Sequence, residues 1–429
     1  MHAFIRFSLL ASASLLAAPA FADTFAATDA AAVDPQSTTS VGTGASDESD
    51  EIVVTARHRS ESSQAVPVAI SVVGGDHIDN TGAFNVGRLQ QLTPSLQFYS
   101  SNPRNTSVNV RGFGSPLGLT NDGIDQGVGI YVDDVYYSRV ASSTFDFLDV
   151  KQIEVLRGPQ GTLYGKNTTA GAINITSREP TFEPEGRAEL SLGNYGYVQA
   201  KGAVSGPVSN KLALRFAVSA THRNGTVTNI TNGLRDNNLS NIGLRAQALW
   251  RPTDNLEITI AGDYNHQNIV CCATVFVNYT QTQKALNRQY PAISAVQGYS
   301  IPLAAEDPAG RLTDVDATLR ARQSIGGASL RAKLDLGAGT FTSITAWRFW
   351  DWDPSNDRDF TALPITTISQ NPSQQRQFTQ ELRYNQHSAA LDFQLGSFYY
   401  QQSINTNGRQ VQGPAATRWL LAQIGRAHV

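Results

Sequence analysis

The residues with the most chemical consequence per position are glycines. Between Ile153 and Ile175 the chain reads IEVLRGPQGTLYGKNTTAGAINI, placing Gly158, Gly161, Gly165 and Gly171 around Pro159. Glycine at that density predicts tight turns with positive φ and close backbone approach, here between two short apolar strands, Ile153–Leu156 and Ala172–Ile175. A phosphate-binding loop is the catalytic alternative, and the residues exclude it. The run Gly161-Thr-Leu-Tyr-Gly165-Lys166-Asn167 is one residue short between its glycines and has Asn where Ser or Thr must hold magnesium. The only two cysteines are adjacent, Cys271-Cys272, with His266 five residues before the pair. They form either a vicinal disulfide in an exposed loop or a pair of free or mutually oxidised loop thiols. A metal site needs three or four ligands, so none is expected here. No Ser, His and Asp set, zinc motif or carboxylate pair stands out, and neither an enzyme nor a cofactor is expected.

A second stretch has a different kind of chemistry, that of main-chain pairing. Glu51, Ile52, Val53, Val54, Thr55 and Ala56 form a β-prone hexapeptide between an acidic run (Asp47, Glu48, Asp50) and a basic one (Arg57, His58, Arg59). With no obvious partner strand in its own chain, such a segment suits strand addition onto another protein's sheet edge. The alternative is an ordinary first strand of the domain that follows.

The elements that must position these residues fall into two blocks. Residues 62–178 read as a mixed α/β unit: a strand at Val66–Val73, a helix capped by Asp76, a helical piece at Asn85–Leu92 stopped before Pro94, and strands at Ser107–Arg111 and Val128–Val132. From Glu185 the pattern becomes long strands of period two. Leu330, Ala332, Leu334 and Leu336 alternate with Arg331, Lys333 and Asp335; Leu212, Leu214, Phe216 and Val218 oppose Arg215 and Ser219. Ile242–Trp250 and Leu256–Tyr264 repeat the arrangement, and Trp250, Tyr264, Trp347, Phe349 and Tyr400 fit aromatic girdles. Tight connections near 206–210, 252–255, 336–339 and 385–388 alternate with long ones near 224–239, 268–314 and 353–372. A transmembrane barrel predicts that alternation, with short turns at one end and long loops at the other, and a Greek-key sandwich does not.

Residues 1–22 read as a secretory signal peptide, with Arg6, the apolar run Phe7–Ala18 and an Ala20-Phe21-Ala22 cleavage site. Residues 23–50, rich in Ala, Ser, Thr and Asp, are expected to be a disordered periplasmic linker. With 33 basic and 36 acidic residues the chain has no polyanion-binding balance, and nucleic acid is not an expected partner.

IEVLRGP, VNVRGFG (Val108–Gly114) and GVGIYVDDVYYSR (Gly127–Arg139), in that family's order along the chain, resemble the plug domain of TonB-dependent outer-membrane receptors of the iron-complex type. The resemblance implies a mainly β protein: a small mixed α/β plug at 62–178, followed from 185 to 429 by part of an antiparallel transmembrane β-barrel. The parent barrel would have about 22 strands. About nine strands are legible before residue 405, so the chain reads as the N-terminal part of a receptor. Ile424–Val429, which can be back-translated into common sequencing adapter, reads as an artefact. The hexapeptide Glu51–Ala56 looks like the TonB box, and the implied partners are TonB with its inner-membrane motor, outer-membrane lipid and an iron chelate. Location in the outer membrane of a Gram-negative bacterium follows. The implied function is active import driven by the proton gradient, most simply of a ferric siderophore, with cobalamin, haem, saccharides or aromatic compounds as alternatives on the same scaffold. A passive porin and a secreted soluble β-protein are the rival classes. Arg111 and Arg157, beside plug glycines, are the candidates to lock the plug through a Glu381–Arg111 or Glu381–Arg157 contact, since alternation turns Glu381 toward the lumen; the alternative is that both arginines satisfy carbonyls within the plug. The loop holding Cys271 and Cys272 is the candidate for substrate selectivity.

Overall fold

A computed structural model describes residues 53–417 apart from 56, 60, 116–121, 301–309 and 389–390. The signal peptide, the linker, Glu51, Ile52, Ala56 and Ile424–Val429 lie outside the described residues.

The first strands are short: β1 (Val53–Val54) pairs antiparallel with β2 (Glu61–Ser62). The plug follows. β3 (Ile70–Gly74) leads into α1 (Gly75–Thr81), and α2 (Val86–Leu89) precedes the hairpin of β4 (Leu96–Ser100) and β5 (Thr106–Val110). Asp76 does not cap α1, since Gly74 occupies the cap position; its carboxylate pairs instead with Arg178 at 2.7 Å. Asn85 caps α2 by accepting from the Arg88 N–H. β6 (Val128–Val132), β7 (Val135–Tyr136), β8 (Val150–Arg157) and β9 (Gly171–Ser177) join β3 in a five-stranded sheet ordered β3-β8-β9-β6-β7. Within it only β6 and β9 run parallel. Ile78, Leu89, Val108, Ile153, Val155 and Ile173 form the centre of one apolar core between this sheet and the helices.

The glycine-rich connector contains the short helix α3 (Gly161–Tyr164) between β8 and β9. Its glycines have different reasons. Gly158 (φ 95°) and Gly165 (φ 75°) adopt the left-handed region with open space around them. At Gly171 a Cβ would lie 2.4 Å from the carbonyl oxygen of Leu156, so crowding governs there. Gly161 has neither constraint, and the expected close approach is confined to Gly171.

The rest is one nine-stranded antiparallel meander: β10 (Glu185–Gly193), β11 (Tyr197–Ser209), β12 (Leu212–Arg223), β15 (Leu239–Thr253), β16 (Leu256–Ile269), β18 (Arg320–Asp335), β19 (Gly339–Ser355), β21 (Ser373–His387) and β22 (Asp392–Thr406). Tight turns close one end. The other end carries the long loops, which hold β13 (Val227–Asn229), β14 (Arg235–Asp236), β17 (Leu312–Thr313), α4 (Tyr290–Val296), β20 (Thr366–Gln370) and β23 (Arg409–Gln412). β13 bonds both β14 and β17, tying two of the long loops together, and β20 pairs with β23.

The alternation in the strands is inside out relative to a soluble sheet. Phe216, Val218, Leu244, Ile260 and Leu330 are exposed, while Arg215, Arg245, Gln247, Gln323, Arg348 and Arg383 are buried on the face toward the plug. An apolar outer face with a polar inner face is what lipid outside and plug inside require. No helix among the described residues is long and apolar enough to cross a membrane. Trp250 and Trp347 lie on the exposed face, but Tyr400 does not belong to a girdle: its ring packs inward on Tyr136 of the plug, 5.9 Å between centroids.

Candidate functional site

The contact between plug and sheet is built from arginines on the wall and carboxylates on the plug. β6 and β7 are joined by the two residues Asp133 and Asp134, both with positive φ (50° and 67°), the geometry of a type I′ hairpin turn. Asp and Asn tolerate that conformation better than bulkier residues. The turn presents two adjacent carboxylates to the wall. Arg245 of β15 bonds Asp133, and Arg383 of β21 bonds Asp134 at 3.2 Å. Asp133 is fixed from behind by the N–H and hydroxyl of Ser177, at 2.8 and 2.6 Å. Farther along, Arg215 of β12 forks onto Asp149 and also meets Glu185. Arg331 bonds Glu179 at 2.6 Å, and Lys201 bonds Asp79 at 3.0 Å. Arg348 of β19 is held by both oxygens of Asp263 (2.6 and 2.7 Å) and lies over the ring of plug residue Tyr137, 4.1 Å from its centroid.

Asp134 has a second neighbour. His58, just after the hexapeptide, places Nδ1 3.2 Å from Asp134 and Nε2 3.0 Å from the carbonyl of Leu163, with its ring against Tyr164. Burial alone would raise the Asp134 carboxyl; Arg383 and His58 outweigh it and hold the group well below the usual carboxylate range.

This arrangement corrects the expected lock. Glu381 does face inward, but its ion pair is with Arg383 on the same strand at 3.3 Å. Arg157 donates to the carbonyl of Ile70 at 3.2 Å, and Arg111 is an exposed residue at a left-handed turn (φ 54°). Among the described residues no ion pair joins Glu381 to either arginine. The physical reason is charge placement: the inner wall is already populated by arginines, so the complementary groups on the plug are carboxylates. The signal was in the sequence, as the Asp133-Asp134 pair inside the Gly127–Arg139 motif together with Arg215, Arg245 and Arg383 on alternating polar faces.

The hexapeptide also departs from expectation, because its described part has a partner strand. Val53 and Val54 pair with Ser62 and Glu61, and Val54 is fully buried. Thr55 donates its N–H to Glu154 Oε1 at 2.5 Å, and its hydroxyl lies 3.1 Å from the same oxygen. The segment lies against the plug.

At the long-loop end, Asp122 of the plug accepts from Arg104 (2.9 Å), Arg139 (2.8 Å) and Thr406 (2.7 Å). The Arg139 guanidinium stands 5.2 Å from the Trp350 ring centroid, and Trp350 stacks with Trp352. Cys271 packs on this pair and on Ala141 and Phe145 of the plug, and its sulfur is bonded to that of Cys272. His266 bonds Ser324 at 2.8 Å, and among the described residues no three metal-ligating side chains converge. A cleft of about 380 Å³ opens beside Trp352, lined by Arg322, Asp351, Asp353, Ser373 and Asn405.

Such a plug, latched to the polar face of an antiparallel sheet whose other face is apolar, defines a class. The chain matches the TonB-dependent Receptor Plug Domain family over residues 62–172. More particularly, it is 32% identical to the pesticin receptor of Yersinia pestis over 172 residues, 40% of this chain and 25% of that protein. It is 27% identical to the ferrioxamine B receptor of Salmonella typhimurium over 207 residues, 47% of this chain and 28% of that one. Among solved structures, the ferric yersiniabactin uptake receptor FyuA of Yersinia pestis superposes with a TM-score of 0.67 at 23% identity, covering 81% of this chain and 50% of that chain. The siderophore receptor PiuA of Acinetobacter baumannii gives a TM-score of 0.61 at 13% identity, covering 84% of this chain and 50% of that chain. The chain therefore spans about a quarter of the length of these curated relatives and half that of these solved receptors.

Proposed function

We propose that this chain belongs to an outer-membrane receptor that imports a ferric siderophore in a TonB-dependent, proton-gradient-driven cycle. The observation that carries the reading is the plug itself, held by wall arginines through Asp133, Asp134 and Asp149, with a strand-forming segment at its start. A plug fixed by several buried ion pairs does not leave a pore by thermal motion alone, since breaking one buried pair costs roughly 3–5 kcal/mol. An external pull is the physical requirement, and Glu51–Ala56 is the proposed handle for TonB. The relatives' names support an iron chelate as cargo: they are receptors for ferrioxamine and ferripyoverdine and an uptake receptor for ferric yersiniabactin. The cleft beside Trp352 and the loop carrying Cys271 and Cys272 are the proposed substrate-facing surfaces.

Deleting residues 51–56 in the full-length receptor tests the reading. Energised uptake of a radio-iron siderophore should fall to background while binding at the cell surface persists. Uptake that survives the deletion would point to a passive pore.

A further inference from the structure

Two apolar cores meet at one dipeptide. The first lies between plug and wall, where Cys271 is buried with Trp350 and Trp352 of β19 and with Ala141 and Phe145 of the plug. The second belongs to the long loops, where Ala273 packs with Val227, Val315, Leu319 and Phe360. Cys271-Cys272 is the link between them, just after the end of β16.

The main chain on both sides of the link is gripped by one residue of another loop. Asn237, in left-handed backbone (φ 64°) between β14 and β15, donates its N–H to the Val270 carbonyl at 2.7 Å. Its side-chain amide makes a two-way contact with Ala273, accepting the N–H and donating to the carbonyl, both at 2.9 Å. Asn238 accepts the Val270 N–H at 2.7 Å. The dipeptide is pinned at Val270 and at Ala273, and whatever lies between must fit that span.

Consecutive residues of an extended chain send their side chains to opposite sides. Cys271 and Cys272 do not: both pack on the plug–wall core, and their sulfurs are bonded. Two thiols would stand roughly 3.5 Å apart, against about 2 Å for a disulfide. The Cys271 side has no room for that, because its sulfur meets close-packed indoles and plug side chains. Cys272 would turn outward instead, and the span between the two grips of Asn237 would change. The indoles extend the reach of the link. Trp350 donates to Gln323 at 3.0 Å, Gln323 donates to Thr144 of the plug at 2.9 Å, and Trp352 forms one side of the cleft.

We propose that the Cys271–Cys272 disulfide, socketed in Asn237, is a positioning joint that sets the Trp350–Trp352 pair, and with it one wall of the cleft, against the plug. Its effect on uptake rests on the reading of that cleft as substrate-facing, whereas the joint itself does not.

The solubilised full-length receptor tests this as isolated, after reduction with dithiothreitol, and as the double variant Cys271→Ala with Cys272→Ala. Iodoacetamide should leave residues 271 and 272 unmodified in the isolated receptor. It should alkylate both once dithiothreitol has taken over the bond as its own cyclic disulfide and left two thiols. Free thiols in the isolated receptor would overturn the joint. Opening or removing the bond should speed hydrogen exchange of the Asn237 and Ala273 amides about tenfold, the loss of one hydrogen bond. It should also weaken the circular-dichroism couplet of the stacked indoles, assigned by its absence in Trp352→Phe. The amides of β6 and β7 should keep their protection, because the plug stays latched. Unchanged exchange and couplet, or a loss of protection in β6 and β7 as large as that at Asn237, would overturn the proposal. Uptake of radio-iron ferrioxamine B and ferric yersiniabactin separates the two levels. The double variant should raise the half-saturation concentration several-fold and lower the maximal rate far less. If exchange and couplet shift while half-saturation does not, the cleft reading fails and the joint stands. If the wild type takes up neither chelate, the cargo reading loses its support, and exchange and couplet still decide the joint.

Discussion

Asp134 stands between Arg383 of the wall and His58 of the segment that follows the handle, and its protonation links the two. Because its carboxyl is held below the ordinary range in the folded protein, the unfolded state binds a proton more readily as pH falls. The stability it contributes is present above the unfolded value of about 4 and is lost as pH drops below it. Protection factors of the β6 and β7 amides, with exchange corrected for its intrinsic pH dependence, should therefore fall from pH 5 to pH 3, and Asp134→Asn should show the lowered protection already at pH 7. Asp357, in the loop after β19, has the opposite sign. Burial, reinforced by the negative charges of Asp359 and Asp316, pushes its carboxyl up to about 7, although the N–H of Phe360 donates to it at 2.7 Å. The folded loop then holds a proton that the unfolded chain has lost, so loop stability falls as pH rises from about 4 through 7. Protection factors in residues 356–372, with exchange corrected for its intrinsic pH dependence, should be larger at pH 5 than at pH 8, and Asp357→Asn should flatten that difference. If the wild-type loop shows no such trend, the carboxyl is not protonated as the packing implies.

At the level of elements, the β8–β9 connector shows how closely one motif can be read and where the reading stops. The two strands were legible from their apolar runs, and they pair in register with Ile153 opposite Ile175 and Leu156 opposite Ala172. Which glycine is irreplaceable was not legible, because φ and clearance depend on strands that the motif does not contain. Gly171→Ala should cost roughly 2–3 kcal/mol, since the new Cβ meets the Leu156 carbonyl. Gly165→Ala should cost roughly 1–3 kcal/mol for a backbone (φ 75°, ψ −140°) that side chains rarely adopt, and Gly161→Ala close to nothing. Equal losses in urea unfolding at all three would refute the assignment. The same limit explains the lock. Alternation placed Glu381 on the inner face correctly, but partner choice is a three-dimensional matter. The adjacent Arg383 takes Glu381, and Asp134 reaches Arg383 from a hairpin turn 249 residues away in sequence. The handle's pairing with Glu61–Ser62 was hidden for a plainer reason: a two-residue strand leaves no periodic trace.

On the scale of the whole molecule, the inner and outer faces of one sheet obey opposite rules. Arg215 is 2% exposed and Phe216 52%, although they are consecutive, because successive side chains of a strand face opposite sides of the sheet, one toward the plug and one away from it. Water would not stabilise this arrangement: the outer face carries Leu190, Val204, Phe216, Leu244, Ile260 and Leu330, all exposed. A lipid surrounding, as proposed above, would stabilise it, and the cost of a charge there would then depend on depth. Leu244 lies near the middle of β15, where it registers with Val218 of β12 and Tyr264 of β16, whereas Trp250 lies near the tight-turn end. In the full-length receptor folded into lipid vesicles, Leu244→Arg should lower stability by roughly 2–4 kcal/mol and Trp250→Arg by about 1 kcal/mol or less from the charge itself, read as shifts in urea midpoint. Gln247→Arg, on the inner face of the same strand, should be insensitive to bilayer thickness, because its surroundings are plug and not lipid. A Leu244→Arg penalty no larger than that at Trp250, or one unchanged between thin and thick bilayers, would mean that this face does not meet the membrane.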